Sequence, residues 1–144
     1  MKAKSKKEKI IKVRIAILII ISLILGITLL ITSNHYNETI KKIEVKESIR
    51  DLILTINAIE ISDGIAFEDL DTIKDMKQEN SEKIEAIAKY RNIEDFNKIE
   101  LLTLEDARKI LKDEVDFIIN KDGEFLNIKE KKWNWNIDYN KLLL

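Results

Sequence analysis

From Ile15 to Thr32 the chain reads IAILIIISLILGITLLIT, eighteen consecutive residues without a charged side chain, in a sequence where 35% of residues are charged. A helix over Val13–Thr32 would be about 30 Å long, the thickness of a bilayer's hydrocarbon core. An element apolar on every face has no polar side to turn to water, and a small domain has no interior to wrap around it. The stretch predicts a transmembrane helix over residues 15–32.

The overall charge of −1 hides a division made by that stretch. Residues 1–14 (MKAKSKKEKIIKVR) hold seven basic side chains and one acid, a balance of +6, whereas residues 33–144 hold eighteen basic and twenty-five acidic, a balance of −7. Short Lys/Arg-rich segments beside a span are retained on the cytoplasmic side. This predicts a basic cytoplasmic tail over 1–14, touching anionic headgroups, and an acidic extracytoplasmic domain from residue 33 onward. A cleaved signal peptide fits less well, because its apolar region runs about 7–15 residues and ends at small residues. Here Leu29, Leu30 and Ile31 run directly into Thr32, Ser33 and Asn34. The expected element is an uncleaved signal-anchor in the cell membrane, crossing once.

Ser22 and Gly26 lie four residues apart within the span. Small residues at that spacing let helix backbones approach in lipid, where packing drives association. Ordinary lipid-facing packing is the expected use of Ser22 and Gly26, small residues being common in such helices, and self-association of two copies through them is the alternative. Ser33–Asn37 (SNHYN) forms a polar collar, with Tyr36 suited to the headgroup level. His35, the single histidine, has no second metal ligand beside it and reads as solvated.

Beyond the collar there is no proline, and the whole chain has three glycines. Frequent tight turns are therefore unavailable, which favours helices over a barrel or sandwich. Val45, Ile49, Leu52, Ile56 and Ile59, widened by Ile53, define one face of a helix over Glu38–Ile61, closed by Ser62-Asp63-Gly64. A second helical region carries Phe67, Leu70, Ile73 and Met76. A third, Glu82–Arg91, is capped by Ser81 and presents Ile84, Ile87 and Ala88. Ile93, Phe96 and Ile99 again step by three. Thr103-Leu104-Glu105-Asp106 has the form of a capping box. The stripe Leu104, Ala107, Leu111, Val115 and Ile118 then predicts one long helix ending at Asn120–Gly123. Residues 33–122 are thus expected to form a helical domain.

Over 123–144 the period changes to two. Trp133, Trp135, Ile137 and Tyr139 alternate with polar residues, which predicts a strand. Phe125–Lys129 is its expected hairpin partner, turning through Glu130 and Lys131. The aromatic face Trp133/Trp135/Tyr139 has two uses, closing the core, the expected one, or serving as an exposed interaction face.

Little here points to chemistry. Without cysteine there is no thiol nucleophile, disulfide or Cys-ligated zinc. A calcium loop placing Gly123 at its sixth position would start at Ile118 and end at Lys129, neither of which supplies a carboxylate. Asp113, Glu114 and Asp116 read as solvated helix surface, and no glycine-rich phosphate loop is present. The acidic balance argues against nucleic acid.

The expectation is a mainly α protein in which an N-terminal transmembrane helix continues into a small helical bundle with a short C-terminal β-hairpin or strand. The function expected is non-enzymatic: a single-pass envelope protein, without cofactor or metal, whose partners are the lipid bilayer and another envelope protein. The alternative is a sensory or ligand-binding ectodomain signalling through a membrane partner.

Overall fold

The computed structural model describes residues 2–131 and divides into two compact units, Met1–Ile40 and a second beginning at Lys41. The protein is mainly helical, with a long N-terminal apolar helix and a short two-stranded antiparallel sheet. Helix α1 runs Lys2–Ser62.

In the first unit every residue from Ser5 to Ile40 is helical and exposed. Inside this helix the backbone groups pair with one another, so an apolar sequence leaves no donor or acceptor stranded. The hydroxyls follow the same rule. Thr28 and Thr32 donate to the carbonyls of Ile24 and Thr28 at 2.8 Å, and Thr39 donates to that of His35 at 3.0 Å.

In the second unit the predicted stripe forms the centre of the core. Val45, Ile49, Leu52, Ile56 and Ile59 are each 0% exposed, and Ile53 is buried beside them. The helix closes where the Asp63 N–H donates to the Ile59 carbonyl, with Gly64 following at φ 68°. Only glycine takes that left-handed backbone without cost.

Helix α2 is shorter than the periodicity predicts. It spans Ile73–Gln78 and is capped by Thr72, whose Oγ1 accepts from the Asp75 N–H. Phe67 and Leu70 lie ahead of it in the connection, Phe67 buried and Leu70 exposed. Helix α3 spans Glu82–Tyr90 with Ser81 at its cap position, although the Ser81 hydroxyl makes no capping bond. Of its expected core face, Ile84 and Ile87 are buried and Ala88 is exposed, Ala86 taking the inner place. Ile93–Ile99 is a 3-10 helix burying Phe96 and Ile99.

The largest departure from the sequence reading is at the fourth helix. Helix α4 spans Leu104–Leu111, and the Thr103 hydroxyl accepts from the Asp106 N–H as expected. The helix does not reach Ile118. The Asp113 N–H donates to the Ile110 carbonyl and the Glu114 N–H to that of Lys109, both at 3.0 Å, with Asp113 at φ 63°. This is the Schellman closure, with aspartate in the place glycine usually takes. Val115–Ile119 then forms strand β1. Val115, Ile118 and Ile119 are β-branched and Phe117 is aromatic, types that fit a pleated surface and lose rotamer freedom in a helix. The apolar spacing alone misread them.

Strand β2, Phe125–Glu130, pairs antiparallel with β1 from Val115↔Glu130 to Ile119↔Phe125, with an irregularity between Ile118 and Ile119. This strand contains the predicted Phe125–Lys129 and is extended by Glu130. The hairpin turns through Asn120–Glu124, where Asn120 Oδ1 accepts from the N–H groups of Asp122 and Glu124 at 2.9 Å. The predicted partner strand, Trp133–Tyr139, lies outside the described residues. Phe117 and Phe125 carry the hairpin onto the core, their rings 6.5 Å apart.

Candidate functional site

The first candidate surface is the exterior of the apolar helix. Leu18, Leu23, Leu29, Leu30 and Ile31 are all more than 60% exposed, beside Ile and Leu neighbours at about half exposure or more. A monomeric soluble protein rarely presents so much contiguous apolar surface to water. Ser22 and Gly26 lie on this exterior one turn apart. A side chain built at Gly26 would meet nothing within 4 Å, and Ser22 lines a shallow apolar groove with Ile15, Leu18, Ile19 and Leu23.

The second surface is an open acidic groove in the unit beginning at Lys41, lined by Glu44, Glu47, Ser48, Asp51, Glu94, Asp95 and Lys98. Lys98 donates to Glu44 at 3.1 Å, which ties the 3-10 helix to α1 across the groove. Among the described residues no three His, Cys, Asp or Glu side chains are grouped to hold a metal ion.

The charged groups that engage one another do so as braces. Asp71 accepts from Lys83 at 2.5 Å and from the Glu68 N–H at 2.8 Å, while its carbonyl receives the Leu104 N–H. Lys77 bonds to Asn97 at 2.9 Å and pairs with Glu100, joining α2 to the 3-10 helix and the residue after it. Asp113 departs from the solvated helix surface expected of it, sitting in the turn between α4 and β1. It pairs with Lys131 at 2.9 Å and Lys46 at 3.7 Å. The hydrogen bond from Lys131, then the charges of Lys131 and Lys46, hold its carboxyl below the ordinary value. On α4, the hydrogen bond to Glu105 raises Lys109 above its usual range. Asp116 lies on β1 and pairs with Lys42 at 3.7 Å, and Glu114 is exposed in the turn. His35 is exposed and makes no side-chain hydrogen bond among the described residues.

The aromatic face Trp133/Trp135/Tyr139 lies outside the described residues. A surface that the sequence reading passed over is the outer side of α1 in the second unit, where Ile43, Leu54 and Ile61 are 54%, 59% and 87% exposed. Their spacings of eleven and seven residues carry the signal, which the stronger core stripe on the opposite side obscured.

Fold and surface together define a class: among the described residues, a small, mainly helical domain with a two-stranded hairpin, on a chain with one helix long and apolar enough to cross a membrane. No protein-family model, no curated protein and no solved structure matches the chain.

Proposed function

We propose that this chain is a single-pass membrane protein of the cell envelope. Its tail (residues 1–14) is cytoplasmic, and its domain is extracytoplasmic and binds other envelope proteins. The observation that carries the reading is the uncharged helix over Ile15–Thr32, exposed at every residue, directly after a tail of charge +6. Hydrocarbon is the solvent that such a surface matches, and the tail supplies the charge that sets direction. A non-enzymatic role is favoured because there is no cysteine and the one histidine sits in the collar next to the span. The acidic groove and the ion-paired exterior suit a polar, wet protein interface.

Membranes carrying the full chain, washed with alkaline carbonate and analysed by intact mass, test the anchor. The expected result is retention of an uncleaved chain. A species starting near Asn34 in the wash would contradict it. Crosslinking in cells from the acidic groove then tests the partner, and the expected product is a discrete adduct with an envelope protein.

A further inference from the structure

We propose that the basic tail is a binding site for anionic phospholipid, which gathers around the inner end of the span and holds residues 5–14 helical. This rests on the membrane reading above, and adds to it a class of lipid and a local fold that depends on that lipid.

Residues 5–14 are helical and exposed, and carry five basic side chains, Lys6, Lys7, Lys9, Lys12 and Arg14, against one acid, Glu8. At about 100° per residue the five cover roughly 220° of the helix circumference. Ile10 and Val13 fall between them. A helix that lies flat on a bilayer keeps its apolar face apart from its charged one, and this segment has no such division. Its charges ring the axis where the helix leaves the lipid. At about 1.5 Å per residue, Arg14 and Lys12 lie within about 5 Å of Ile15, inside a headgroup layer about 5–8 Å deep. Lys9, Lys7 and Lys6 stand within about one Debye length, about 8 Å, of that layer.

The tail lacks the counter-charge to hold this helix by itself. Helix α1 has no acid in its first turn, where the macrodipole favours one and disfavours lysine. Lys6 and Lys9 are three residues apart, as are Lys9 and Lys12, so like charges adjoin on the helix surface. Among the described residues, Lys6, Lys7, Glu8, Lys9, Lys12 and Arg14 take part in no ion pair. A layer of anionic headgroups at the depth of these cations supplies the missing charge on every side of the helix at once. Four of the five are lysines, compact point charges on flexible stems, so the lipid's net charge is selected and not its headgroup shape. A nucleic acid or an acidic protein offers its charge from one side and has to displace the lipid already there.

Hydrogen exchange of the full chain is measured in nanodiscs of phosphatidylcholine alone and of phosphatidylcholine mixed with phosphatidylglycerol. The amides of residues 6–13 are expected to exchange several-fold more slowly in the mixed bilayer, and molar salt should remove the difference. Combining Lys6→Gln, Lys7→Gln, Lys9→Gln and Lys12→Gln keeps helix propensity and removes the charge, so exchange should become equal in the two bilayers. In mild detergent the wild-type chain should retain phosphatidylglycerol several-fold above its share of the bilayer, and the quadruple variant should not. Equal exchange of the wild-type tail in both bilayers, or equal retention of the two lipids, would overturn the proposal. So would slowing of the same size in phosphatidylcholine nanodiscs given a short RNA in place of the anionic lipid. Exchange over residues 18–29 separates the lipid site from the anchor. Protection there, with no lipid dependence in the tail, sinks only the lipid site, whereas a chain that does not stay with the nanodiscs sinks the anchor as well.

Discussion

Among the described residues, two other than glycine hold left-handed backbone, Asn80 at φ 46° and Asp113 at φ 63°, and each closes a helix. Asn and Asp tolerate that region better than other side chains, which lets a chain with few glycines still turn. Asp113 adds the lysine contacts that depress its carboxyl. Because its folded pKa lies below the unfolded one, the stabilisation is present above the ordinary carboxylate range and is lost as pH falls through the folded value. Asp113→Asn keeps the backbone preference and removes the charge. The stability gap between the two proteins, followed by denaturation in detergent, should be flat near neutrality. It should close below about pH 4 and narrow with added salt. Gly123, at φ 82°, is more constrained, since an added Cβ would also lie 3.4 Å from the Lys41 side chain. Gly123→Ala should cost about 1–2 kcal/mol, read as a lowered denaturation midpoint.

At the scale of elements, α1 was the most legible part of the chain. Its core residues repeat at helical spacing, and each is buried where the pattern puts it. Ile49→Ala should therefore cost roughly 2–5 kcal/mol by the same measurement, whereas Leu54→Ala, on the open face, should change the monomer little. The Thr103 cap was equally legible, and Thr103→Ala should cost about 1 kcal/mol. The segment after Leu111 was not legible from spacing, because Val115 and Ile118 continue the helical stripe. What decides it is a closure at Asp113 that spacing does not register, followed by the β-forming run Val115–Ile119. The hairpin turn was missed for a related reason. Asn120 organises it through its own side chain, without the Asn-Gly pair that would have announced it. Of the candidate surfaces, the apolar helix was evident in the sequence, while the exposed row Ile43, Leu54 and Ile61 emerged only once the domain had claimed the opposite side of α1.

For the whole molecule, the proposal depends on direction: a basic tail held inside and an acidic domain delivered outside. The most direct measurement uses the cysteine-free chain as its own blank. Lys6→Cys and Leu70→Cys each place one thiol at an exposed position, the first in the tail and the second in the domain. Intact cells are then treated with a membrane-impermeant maleimide. The account predicts labelling of Leu70→Cys at once and of Lys6→Cys only after permeabilisation. Immediate labelling of Lys6→Cys with protection of Leu70→Cys would contradict it.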